Sequence, residues 1–140
     1  MPLTVKERQE FLAEPHVAAL SVAAGPERAP LVVPIWYHYT PGGEIWFHTP
    51  ADSRKARLID AGGRVSLMVD EAGPRVRYVS VEGPVVRTEP GNVDVVRTMT
   101  ARYLPPERVE PYVEFAMAAH GEQVVYFVRP ERWLSADLTG

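Results

Sequence analysis

At 140 residues, with 46% hydrophobic and 24% charged side chains, the chain can bury roughly two-thirds of the surface its unfolded form exposes, and it is too apolar to stay disordered. A formal net charge of -3 and the absence of cysteine exclude the basic footprint of a nucleic-acid binder, disulfides, thiolate nucleophiles and cysteine metal sites. The N-terminal MPLTVKERQEFLAEPH has no apolar signal-peptide core and no stretch approaches the ~18 apolar residues of a membrane span, so a cytoplasmic protein without membrane partners is expected.

Thr4 is placed to cap a short amphipathic helix carrying Val5, Phe11 and Leu12, which Pro15 ends. A first strand runs through His16 to Ala24, and the turn GPERAP delivers a second, Leu31 to Thr40. Pro34 has no N–H to give a ladder, so it belongs on an edge, a bulge or a strand flank. After Pro41, Gly42 and Gly43, the segment Glu44 to His48 is expected to form a hairpin with that strand, with Ile45 and Phe47 on one face and Trp46 and His48 on the other. A helix then follows with Asp52 as N-cap, Ala56 and Ile59 inward and Gly62 at its stop.

Alternation through Val65, Leu67 and Val69 and a return over Val76 to Thr88, bent at Gly83 and Pro84, give two more strands. Helices are expected from Pro90 to Tyr103, with Pro90 in the first turn, and from Glu107 to Ala119. Gln123 to Arg129 is a strand, and Trp133 to Leu138 extends the sheet. Short strands with helices only as inserts favour one mainly β domain over residues 1–140, an antiparallel barrel of six to seven strands, over a doubly wound sheet. There is no βαβ alternation, no repeat and no GxGxxG.

Chemistry concentrates in FHTPADSRKARLI, Phe47 to Ile59. A helix N-terminus presents unpaired N–H groups and partial positive charge, and here Ser53 adds a hydroxyl and Arg54, Lys55 and Arg57 add cations, a set suited to a phosphate. The alternative is a solvated basic face on a surface helix. His16, His38, His48 and His120 sit at no metal-ligand spacing, and His38 and His48 either flank a ligand groove or face solvent. No serine lies in a GxSxG context.

Four stretches in order, VVPIWYHY (Val32 to Tyr39), FHTPADSRKARLI, VSLMVDEAGPRVRYVSVEGPVVRT (Val65 to Thr88) and PERWLSADL (Pro130 to Leu138), resemble the pyridoxamine 5'-phosphate oxidase-like superfamily of split-barrel flavoproteins, in particular its short flavin or deazaflavin oxidoreductases. The resemblance implies that Pro34, Ile35 and Trp36 contact the ring system of FMN or the deazaflavin F420. It implies that Thr49, Ser53, Arg54 and Lys55 hold the phosphate, with His48 beside them and Arg57 on the anionic tail. The SRKAR helix and the PERWLSADL ending incline the resemblance towards F420.

It also implies a homodimer with the site at the interface, where Tyr78, Ser80 or Trp133 completes the pocket of the other subunit. The Arg-x-His motif with which pyridoxamine phosphate oxidase grips its substrate is missing from ERWLSADLTG, which argues against vitamin B6 oxidation. The expected activity is hydride transfer to or from a small unsaturated organic molecule, with no metal. Tyr37, His38 and Tyr78 are the candidate proton donors. The alternative is a carrier that binds flavin, deazaflavin or haem without turnover.

Overall fold

The computed structural model describes all residues, 1–140. Helix α1 (Val5–Ala13) begins on a reciprocal cap: the Thr4 hydroxyl accepts from the Glu7 N–H, and the Glu7 carboxylate accepts from the Thr4 N–H. Its inner face carries Phe11 and Leu12, both buried, and plugs one end of the molecule. Truncating Leu12 to Ala would cost about 2 to 5 kcal/mol through lost transfer energy and the cavity left behind.

The strands are β1 (Ala18–Val22), β2 (Leu31–Ile35), β3 (His38–Tyr39), β4 (Ile45–Pro50), β5 (Arg64–Ala72), β6 (Val76–Pro90), β7 (Gln123–Val128) and β8 (Arg132–Asp137). All pair antiparallel in the order β2-β1-β5-β6-β7-β4-β3, with β8 on the first half of β6. This sheet curls into a half-barrel. Alternation explains its filling: Leu20, Leu67, Val79, Val81, Ile45, Phe47, Tyr126 and Val128 point inward and are buried, while their neighbours face out.

Strand β6 is the spine. Its first half lies between β5 and β8, and its second half pairs with β7. Gly83 marks the transfer, because a Cβ there would lie 1.8 Å from the Arg129 carbonyl oxygen. Only glycine lets the two segments cross so closely.

The expected hairpin between residues 31–40 and 44–48 is corrected. β2 pairs with β1, and only His38 and Tyr39 pair with Trp46 and Ile45. Residues Leu31 to Tyr39 thus run from one end of the sheet to the other, and the ladder is broken at Trp36 and Tyr37. Pro34 lies on the edge strand β2, where a missing N–H costs least.

Helix α2 (Arg54–Gly62) is capped by Ser53 rather than Asp52, since the Ser53 hydroxyl accepts from the Ala56 N–H at 3.1 Å, and Gly63 at φ 73 ends it. Helix α3 (Val93–Tyr103) is capped by Asn92, and Pro90 closes β6 instead of opening the helix. Helix α4 (Pro106–His120) runs back against α3 around a small core of Val96, Val113 and Ala116, separate from that of the barrel. No helix is long and apolar enough to cross a membrane.

Candidate functional site

A cleft of about 360 Å³ opens between the half-barrel and the α3–α4 hairpin, within the size range of small-molecule sites. Pro34, Ile35 and Trp36 at the end of β2 form one wall. His48, Thr49 and Pro50 at the end of β4, with Lys55 from the first turn of α2, form the other. Val96, Thr100, Tyr112, Ala116 and His120 supply the roof, and Gln123 closes the far end.

The walls meet because the break after β2 leaves Trp36 free to turn towards the helices. Its indole stacks on Tyr103 at 4.7 Å and 9° and meets Tyr112 at 5.3 Å. The Tyr103 hydroxyl bonds the ladder gap itself: it accepts from the Tyr37 N–H at 3.1 Å, and its proton is shared between the carbonyls of His16 at 2.7 Å and Tyr37 at 3.0 Å. Arg102 adds a bond to the Glu14 carbonyl at 2.9 Å. The end of α3 is therefore fastened to the seam of the barrel beside Trp36.

On the opposite wall, Thr49 is buried, its hydroxyl 3.4 Å from that of Ser53. The first turn of α2 leaves the N–H groups of Arg54 and Lys55 without intrahelical acceptors. Lys55 is half-buried, and burial pulls its pKa below the ordinary lysine value. It has no carboxylate partner, because the ion pairs of the molecule all lie elsewhere. An ammonium desolvated without a counter-ion is stabilised by any anion that enters the cleft. This donor set fits the phosphate-bearing end of a flavin-type molecule, and the stacked aromatic wall fits its ring.

Six of the residues anticipated for cofactor binding, Pro34, Ile35, Trp36, His48, Thr49 and Lys55, line this one cleft. Ser53 stands behind them as the cap of α2. Arg54 is exposed at the same helix end, and Arg57 is turned back to donate to the Asp52 carbonyl at 2.6 Å. Tyr78 lies on β6 between Asp70 and Ala136, outside the cleft of this chain. Trp133 packs under the Arg8 guanidinium at 4.7 Å and against Tyr39, lining a different groove.

Of the candidate proton donors, His38 stacks on Trp46 at 5.2 Å away from the cleft, and burial, then the cation of Arg102, lowers its pKa. Tyr37 is corrected to a core residue. It is fully buried, its hydroxyl donates to the Leu12 carbonyl at 2.6 Å, and burial raises its pKa far above the ordinary phenol value. No group of three or more His, Asp or Glu residues converges on a metal-sized site.

The roof was missed from sequence. Val96 and Ala116 lie at the helical spacing of a covered face and Tyr112 carries no local signal, and only docking against the barrel turns all three to a cavity. Gln123 was read as the start of a strand and nothing more.

An F420 reductase shares the fold with a TM-score of 0.70 at 22% identity, over 90% of this chain and 94% of that one. A flavin-adenine-dinucleotide-binding protein from Mesorhizobium loti matches with a TM-score of 0.65 at 22% identity, over 98% and 96%. The haem storage protein of Vibrio cholerae matches with 0.63 at 14% identity, over 96% and 94%. No curated protein matches the sequence. The similarity to these structures is one of fold, the antiparallel split barrel. The model of the pyridoxamine 5'-phosphate oxidase family matches residues 4–135, almost the whole length, and the chain belongs to that family.

Proposed function

We propose that this chain is an oxidoreductase that holds F420 or FMN in the cleft and passes hydride to or from a small unsaturated organic substrate. The observation that carries this reading is Lys55: a half-buried cation without a counter-ion, beside the capped start of α2 and opposite an aromatic wall. When bound, the flavin or deazaflavin supplies the hydride chemistry. The protein then needs only to bind, orient and exclude water.

Lys55, the free N–H groups of α2 and Arg54 hold the phosphate. Pro34, Ile35 and Trp36 hold the ring from the side of β2, and Val96, Tyr112 and Ala116 shield it from solvent. F420 is favoured over FMN, since Arg54 and Arg57, cations at the same end of α2 as Lys55, would suit its longer anionic tail.

A symmetric homodimer is part of the proposal. On the outer face of the sheet, Pro34, Ala19, Met68, Ser80 and Leu134 lie in one cross-strand row, with Leu134 64% and neighbouring Val32 61% exposed. Val17 and Pro34 belong both to this apolar face and to the rim of the cleft. A second copy seated there closes the cleft, and Tyr78 and Ser80 lie on the same face to reach it.

Absorbance titration of the purified protein with FMN, F420 and haem tests the ligand. Single-turnover reoxidation of bound reduced cofactor by enones, quinones and tetrapyrroles tests the reaction. Tight binding with no reoxidation by any acceptor supports the second reading, a carrier. A haem Soret band in place of flavin binding supports a haem carrier, for which the imidazoles of His48 and His120 both line the cleft.

A further inference from the structure

The polar end of the cleft is built by His48 on β4 and Gln123 at the start of β7. Cross-strand pairing of Pro50 with Gln123 and of His48 with Val125 brings the two side chains together on one face. Gln123 is fixed there by its own backbone, whose carbonyl accepts from the Gly91 N–H at 2.8 Å. Gly91 permits the approach, because a Cβ at that position would lie 2.6 Å from the Gln123 Cβ.

The Gln123 Oε1 stands 2.9 Å from His48 Nδ1. An amide oxygen only accepts, so the proton of this bond belongs to Nδ1. The other ring nitrogen, Nε2, has no partner in the protein, and the ring lines the cleft. Burial lowers the pKa of His48, and the Lys55 ammonium adds to this, against the opposing bond to Gln123. The titratable groups that share the cleft with it are Lys55 on α2 and Tyr112 and His120 on α4. A neutral imidazole protonated at Nδ1 carries its lone pair on Nε2.

We infer that Gln123 is a positioning residue that locks His48 in the Nδ1–H tautomer, so that Nε2 is offered to the cleft as an acceptor for an O–H donor on the bound ligand, beside its phosphate. The inference rests on the cleft being a flavin or deazaflavin site. Lys55 beside His48 can only donate, so this end of the cleft combines one acceptor with one cationic donor. With the phosphate on Lys55, the donor that Nε2 accepts is a hydroxyl of the ribityl chain next to that phosphate, a group that FMN and F420 share. A ligand with only acceptors at this end leaves Nε2 unpaired.

The test begins with nitrogen-15 NMR of the imidazoles in the full ligand-free chain near neutral pH. A protonated Nδ1 and an unprotonated Nε2 at His48 are expected. In Gln123→Met the tautomers mix, and affinity for FMN and F420 drops about tenfold, the scale of one hydrogen bond. In Gln123→Glu the Nδ1–H bond survives, but the carboxylate favours the protonated ring, which donates from Nε2. Affinity in that variant then drops on the acid side and recovers as the pH rises, a rescue that a merely structural glutamine does not produce.

An Nε2–H tautomer in the wild type, or Gln123→Glu binding that follows the wild type at every pH, overturns the inference. If the wild type takes up neither FMN nor F420, the cofactor reading fails, while the tautomer seen by NMR still decides the role of Gln123.

Discussion

Lys55 and Arg54 are neighbours in sequence but not in environment: Lys55 lines the cleft and Arg54 is exposed. Lys55→Ala is therefore expected to weaken FMN or F420 binding by about 1 to 3 kcal/mol, the scale of a desolvated charge-assisted bond, and Arg54→Ala by less. Isothermal calorimetry on both variants measures the difference, and equal affinities for Lys55→Ala and wild type would remove the phosphate assignment. His38 and His48 give a second expectation. Burial lowers both pKa values, so between those values and about 6.5 the unfolded chain binds more protons than the folded one. Stability is then fully present above this window and declines as the pH drops through it. Melting temperatures measured from about pH 7.5 to 5 should fall, and replacing both histidines by Gln should flatten that fall. At this scale the sequence was legible where the chemistry is local. Thr49, Ser53 and Lys55 are set by six or seven consecutive residues and a helix start. Gln123 was not legible, because its partner His48 is 75 residues away and met only through strand register.

Among the elements, the junction of β2, β3 and α3 decides whether the cleft exists. The Tyr103 hydroxyl stands in for a missing ladder partner at Tyr37, so Tyr103→Phe strands a backbone N–H at a seam that no neighbouring strand covers. A loss of about 1 to 3 kcal/mol is expected, with weaker ligand binding, because Trp36 loses the anchorage of its stacking partner. Chemical denaturation and ligand titration of the same variant check the two effects together. A variant as stable as wild type would mean that the seam is held without this bond. Sequence patterning gave the ends of α1 and the inward faces of β4 and β5, since capping and alternation act within a few residues. It misjudged the hairpin after β2 and the start of α3. In both cases pairing with a distant strand, β1 for Leu31 to Ile35 and β7 for Glu89 and Pro90, overrode a plausible local turn or helix start.

For the whole molecule, the row across β2, β1, β5, β6 and β8 is the feature on which the proposed homodimer rests. Sedimentation at micromolar concentration should give about twice the chain mass of 15.6 kDa. Met68→Glu combined with Leu134→Glu puts charge in the middle and at one end of that row and should yield a folded monomer with impaired cofactor binding. A wild-type monomer that binds the cofactor tightly would leave the shared site without support. The antiparallel barrel was readable from turn spacing and strand alternation, but it has eight strands in place of six or seven, because the break at Trp36 and Tyr37 splits the expected strand Leu31 to Thr40 into β2 and β3. The roof of the cleft was not readable, because an amphipathic helix reports that one face is covered without reporting what covers it.

The small core of Val96, Val113 and Ala116 is separate from that of the barrel, so local opening of the α3–α4 hairpin at its α4 end, with the sheet staying whole, is an expected outcome. If a second copy closes the cleft, that opening would add a first-order step to ligand uptake. In stopped-flow mixing, the observed association rate should rise with cofactor concentration and level off at the opening rate of the hairpin. Amide exchange in α4 should run ahead of exchange in β5 and β6, and should slow once the ligand is in place. A rate that climbs linearly to the highest cofactor concentrations would instead describe a cleft that stands permanently open.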